Sequence, residues 1–149
     1  MTEVLFYHLQ RQPLEAVLPG LLERCLERNW RTVVQVGSEE RRDALDAYLW
    51  TYRDDGFLPH GTTNDGHAAM QPVWLTAGDD NPNSAEVRFL ADGADIPDYA
   101  GYQRVVRLFD GNDPDAVDQA RAAWTAAKAA GHDITYWQQT DSGRWEKKA

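Results

Sequence analysis

The stretch from Asp113 to Gln138, DPDAVDQARAAWTAAKAAGHDITYWQ, restricts the fold more than any other part of the chain. Asp113 stands where a helix N-cap accepts backbone amides, Pro114 suits the first helical position, and Gly131 suits a left-handed exit. Between them Ala116, Ala120, Ala123, Ala126, Ala127 and Ala130 gather on one side of a helical wheel turning about 100° per residue. A face that smooth lets a helix lie close against a sheet, and a final strand, DITYWQ from Asp133, follows it.

Val117, Arg121, Trp124 and Lys128 fall on a second, narrower stripe of the same helix, with the indole between two cations. Two readings fit that spacing. In one, Trp124 finishes a core and the bases form a solvated rim. In the other the stripe is a docking groove, in which Trp124 supplies an apolar wall and Arg121 and Lys128 receive a carboxylate or an acidic peptide.

The preceding chain alternates strand and helix. EVLFYHL at 3–9 is rich in β-formers. Residues 13–29 carry Leu14, Val17, Leu18, Leu21, Leu22, Cys25 and Leu26 at helical spacing, RTVVQV at 31–36 reads as a second strand, and a helix is expected from Glu39 to about Tyr52. This order predicts a parallel pair joined by a right-handed crossover. PVWLT at 72–76, EVRFL at 86–90 and QRVVRL at 103–108 complete the strands before the long helix. The expected fold class is α/β, one domain over residues 1–149 with a mostly parallel, Rossmann-like sheet flanked by helices.

Such a start invites a nucleotide, but the chemistry opposes one. The turn after the first strand, HLQRQPLEA, has no glycine, and VGSEER after the second has one glycine and then two acids. Neither can wrap backbone amides round a phosphate. A small nucleotide-binding enzyme or regulator therefore stands as the alternative function. Ser38, Ser84 and Ser142 sit in turn-like contexts outside any nucleophile elbow, so no catalytic residue is assigned. His60, Asp65 and His67 match no ligand spacing, and neither a metal nor a cofactor is expected.

The formal net charge of −9 argues against broad binding to a phosphate backbone, so contact with DNA is expected to be indirect. Cys25 is the single cysteine, which removes internal disulfides and thiolate metal sites and fits a reducing compartment. No stretch approaches the roughly 20 apolar residues of a membrane span, and the cytoplasm is the expected location.

Residues 52–71 form a long irregular connection in which Phe57, Leu58, Pro59 and His60 follow the aromatics Tyr48, Trp50 and Tyr52. Phe57 and Leu58 either tuck the loop onto the body or belong to an exposed interaction patch.

FYHL near the start, LDAYLW followed by FLPH, PVWLT, LFDG, then ARAAW, AAGH, TYWQQ and GRW occur in an order that resembles the chi subunit family of bacterial DNA polymerase III holoenzyme. The resemblance implies an accessory protein without an active site, paired with the psi subunit of the clamp-loader assembly and gripping the acidic C-terminal tail of single-stranded DNA-binding protein. By position it implies a tail site at Arg121 and Trp124, with Thr125 standing where the family commonly has a second base; Val117 and Lys128, from the stripe's own spacing, complete the expected site. It likewise implies a psi interface of Trp50, Phe57, Leu58, Pro59 and His60. A helicase using the same aromatic patch is a further expected partner class.

Overall fold

Short β-forming runs alternating with amphipathic segments build a seven-stranded sheet with helices on both faces. The computed structural model describes residues 2–52, 58–142 and 144–148. Its strands are β1 (Glu3–Leu9), β2 (Thr32–Gln35), β3 (Val73–Thr76), β4 (Val87–Leu90), β5 (Arg104–Asp110), β6 (Asp133–Gln139) and β7 (Trp145–Lys147). Its helices are α1 (Leu14–Glu27), α2 (Glu39–Thr51) and α3 (Pro114–Ala129), with a 3₁₀ turn at Ala68–Met70.

The sheet runs β3-β2-β4-β5-β1-β6-β7, and every neighbouring pair is parallel except β6 with β7. The α/β, mostly parallel, Rossmann-like arrangement is the one expected. The strand neighbours differ from expectation, because β1 and β2 are separated by β4 and β5. Strand length supplies the reason. The seven-residue strands β1, β5 and β6 lie side by side, with seven residue pairs between β1 and β5 and six between β1 and β6, while the four-residue strands β3, β2 and β4 lie together and join the others through the first four residues of β5. Placing the long strands side by side lets most of their backbone donors and acceptors find partners.

One core layer lies between the sheet and α1 and α2, where Leu5, Leu9, Val34, Leu75, Phe89 and Val106 meet Leu18, Leu22, Leu45 and Leu49. Cys25 is buried in this layer, as expected of a core thiol. The opposite layer is smaller, with Val4, Phe6 and Phe109 under Ala120 and Ala127 of α3.

The start of α3 follows the sequence closely. Asp113 accepts the Asp115 amide at 3.0 Å, and Pro114 opens the helix. Gly131 has φ 82°, the left-handed exit that glycine adopts without strain. The alanine face is narrower than the wheel predicts. Ala116, Ala120, Ala123 and Ala127 meet the sheet side, but Ala126 and Ala130 are exposed. The sheet's own aromatics, Phe6 and Tyr136, instead meet the flank carrying Val117 and Trp124.

Candidate peptide-docking sites

On α3, Arg121, Thr125 and Lys128 are exposed, while Val117 and Trp124 are half-buried at the edge of the smaller core layer. The Trp124 ring meets Phe6 at 5.6 Å and Tyr136 edge-on at 5.8 Å. One flank of the indole is therefore seated, and the residue keeps part of its surface in solvent. Among the described residues Arg121 and Lys128 form no ion pair or side-chain hydrogen bond. Thr125 turns its hydroxyl inward, donating to the Arg121 carbonyl at 3.1 Å. The indole thus joins a core edge, and the two bases beside it are exposed.

Two residues that sequence reasoning did not single out lie under this face. His8 Nδ1 and the Tyr136 hydroxyl are 2.6 Å apart. Arg121 is close enough to influence both. Burial, the main cause, moves the His8 imidazole below its ordinary range; the Gly111 backbone hydrogen bond opposes this, Arg121 reinforces it and Asp110 opposes it. Burial raises the Tyr136 phenol, and Arg121 opposes that shift. Strand alternation alone would have placed Phe6 with His8, and Ile134 with Tyr136, on the α3 side.

The second candidate surface lies at the end of α2. Trp50 is 48% exposed, and its ring packs 4.5 Å from that of His60. Of the two readings open for Leu58 the structure takes the tucked one, and His60 is drawn in beside it rather than adjoining Trp50 on the surface. Leu58 is 1% exposed within the larger core layer, and His60 is 4% exposed. The physical reason is the path of the loop, which is drawn onto the sheet edge where Gly61 bridges Trp74 in parallel. There the His60 ring is fixed by the Leu58 carbonyl at 2.6 Å and by the Asp46 carboxylate at 3.0 Å. Burial raises Asp46 above the usual carboxylate range, against the pull of His60. Pro59 is half-buried, and Phe57 lies outside the described residues.

A cleft of about 800 Å³ opens over the C-terminal ends of β1, β4 and β5, beside the first turns of α1 and α3. Open α/β sheets commonly hold ligands at such a point. Here the lining carries Glu15, Asp92, Asp110, Asp113 and Asp115 against Arg11, Arg41 and Arg107. Arg41 is engaged by Glu15 and Asp92, and Arg107 by Asp95 at 3.3 Å. Carboxylates exceed cations, an arrangement that repels phosphate. Among the described residues no group of three or more His, Cys, Asp or Glu side chains has the geometry to hold a metal, and no helix is long and apolar enough to cross a membrane.

These features define an α/β protein of Rossmann-like arrangement whose first two strand-to-helix turns lack the glycine-rich phosphate cradle, and which instead presents a cationic helix stripe and an exposed aromatic. The chain belongs to the DNA polymerase III chi subunit family: the family model described as DNA polymerase III chi subunit, HolC, matches residues 1–135. It is similar to the probable DNA polymerase III subunit chi of Rickettsia prowazekii, with 28% identity over 109 residues covering 73% of this chain and 66% of that protein. It is also similar to the DNA polymerase III subunit chi of Pseudomonas aeruginosa, with 32% identity over 91 residues covering 58% of this chain and 62% of that protein. The matched stretch spans just under two thirds of each relative's length.

Proposed function

We propose that this protein is a non-catalytic accessory subunit of bacterial DNA polymerase III. In this reading it joins the clamp loader, through psi, to the acidic C-terminal tail of single-stranded DNA-binding protein during replication. The observation that carries the reading is Arg121, a solvent-facing guanidinium without an internal acid, set beside a half-seated indole in a chain of net charge −9. A planar guanidinium holds both oxygens of one carboxylate, and the indole edge offers an apolar wall for a neighbouring side chain. Trp50 is the aromatic anchor available to psi, and a helicase is the competing occupant of that patch. DNA is reached only through these protein partners.

Calorimetric titration with a synthetic acidic tail ending in Phe tests the tail site. Arg121→Ala should cost roughly 1.5–3 kcal/mol of binding, typical of a charge-assisted contact. Affinity unchanged in that variant removes the proposed receptor. The cleft at the sheet's C-terminal edge favours a second reading, a small nucleotide-binding regulator, and its acidic lining opposes it. Micromolar binding of any nucleotide in a calorimetric panel would revive that reading.

A further inference from the structure

The Tyr136 ring lies where the seated flank of Trp124 ends, and it stacks on Phe6 at 6.2 Å. β1 and β6 are parallel neighbours with Phe6 opposite Tyr136, which makes His8 the diagonal neighbour of the phenol. The 2.6 Å contact between His8 Nδ1 and the Tyr136 hydroxyl closes that diagonal. On its other side the imidazole presses against Gly111, where a Cβ would overlap the ring at Cδ2 and Nε2. In the tautomer with the ring proton on Nε2, which the Gln10 side-chain amide 3.4 Å away meets with its oxygen, Nδ1 of neutral His8 is an acceptor. The phenol has one proton to give, and in this state it gives it inward.

Protonation of His8 reverses that bond. Nδ1–H then donates to the phenol oxygen, and the tyrosine O–H is released to turn toward another acceptor. The same event adds a positive charge beside Arg121. We propose that Tyr136 is a further binding residue of the α3 face, donating its hydroxyl to a carboxylate of the acidic peptide, and that His8 is the positioning residue whose protonation releases that hydroxyl. This rests on the reading of the α3 face as an acidic-peptide receptor.

The groups acting on His8 come from three elements besides its own. Asp110 at the end of β5 favours the imidazolium, Arg121 of α3 disfavours it, and Tyr136 of β6 is its hydrogen-bond partner; Gln10, on the exit of β1, and the Gly111 backbone are neutral. A carboxylate arriving at Arg121 cancels the one opposing charge. Peptide binding therefore takes up a proton, and affinity rises as pH falls through the titration of His8.

The test is calorimetry with an Asp/Glu-rich peptide between pH 8 and pH 5.5, a window in which its carboxylates, with ordinary values near 4, stay ionised. The wild-type chain should bind about three- to tenfold more tightly at pH 5.5 than at pH 8, the scale of one added hydrogen bond. Tyr136→Phe and His8→Gln should each bring that ratio close to one. NMR titration of the wild-type His8 ring, which needs no variant, should show its midpoint moving up on saturation with peptide. A His8→Gln chain that keeps the wild-type pH ratio, or a His8 midpoint that the peptide leaves in place, overturns the inference. Binding that is lost in Arg121→Ala but untouched in Tyr136→Phe at pH 5.5 rejects this inference and leaves the receptor standing. No binding by the wild-type chain rejects both.

Discussion

Arg88 gives Nε and Nη2 to the single side-chain oxygen of Gln35, at 3.1 and 2.6 Å, in a layer closed to solvent. Its remaining nitrogen, Nη1, reaches the Asp80 carbonyl at 2.9 Å and the Tyr102 hydroxyl at 3.0 Å, and Nη2 also meets the Gly78 carbonyl at 2.8 Å. The α3 contacts on this face fall on β5 and β6. Over β4 and β2 the cover is made of loops, and one fully buried guanidinium ties those loops to the sheet. A buried cation persists only where its donors are met in this way.

Replacing Arg88 should therefore be among the most damaging changes in the molecule. Arg88→Ala leaves Gln35 and two loop carbonyls without donors and opens a void, and is expected to cost about 3–5 kcal/mol. Urea unfolding followed by far-UV circular dichroism measures it. A loss below about 1 kcal/mol would show that water replaces the guanidinium without difficulty.

Trp50 and Leu58 separate recognition from stability. Under the proposed reading Trp50→Ala should weaken capture of psi and lower stability less than a core truncation does, since about half of its surface is exposed. Leu58→Ala, in the core, should lose about 2–5 kcal/mol and affect psi only through unfolding. Pull-down paired with melting curves distinguishes the two; equal stability losses would contradict the burial pattern.

Thr125 offers a gain of function. It is exposed one turn from Arg121, and its hydroxyl bond to the Arg121 carbonyl is local. Thr125→Lys adds a third cation to the stripe, so tail affinity should rise about two- to fivefold at low salt and the gain should fade as salt screens it. A salt-independent change would point to packing instead of charge.

Acid stability should report on Asp80. Burial pulls this carboxyl upward, but hydrogen bonds from the Thr76 hydroxyl at 2.5 Å and the Trp74 indole at 2.9 Å outweigh it and leave the group below its ordinary value. A depressed folded-state value means that the unfolded chain binds the proton more readily. The stabilisation is complete above the ordinary carboxylate range near pH 4 and is lost as pH falls through the folded value. Thermal melts from pH 5 down to pH 2.5 should converge for wild type and Asp80→Asn; parallel curves would remove Asp80 from the account.

Gly111 has a steric role rather than a conformational one. Its amide donates to the Leu9 carbonyl at 2.6 Å, and the His8 ring fills the space a side chain would take. Gly111→Ala is expected to cost about 1–3 kcal/mol, since the ring is held by the phenol on its far side. Denaturant unfolding checks the cost, and a shifted His8 resonance checks its location.

What the sequence made legible was local. The Asp-Pro-Asp start of α3, the leucine spacing of α1 and the β-rich runs all depend on neighbours within a turn or two, and each forms close to where it was expected. Strand order was not legible, because which strands pair depends on matching ladders far apart in the chain. β7 was missed for a related reason: three residues have no period to detect, and they pair only because β6 leaves an open edge. At the sites, Arg121 and Trp124 were visible as helix spacing. His8 and Tyr136 meet across 128 residues, and the burial of His60 depends on a bridge from Gly61 to Trp74.

The position of the two candidate surfaces on opposite faces of the sheet, α3 over β5 and β6 and Trp50 at the end of a helix packed near β3, also has a mechanical meaning. Tension between anything held at one and anything held at the other runs sideways through β2, β4 and β5, in line with the backbone hydrogen bonds and not along the chain. Only four residue pairs join β2 to β4 and four join β4 to β5, so the short half of the sheet is where such a pull would be felt first.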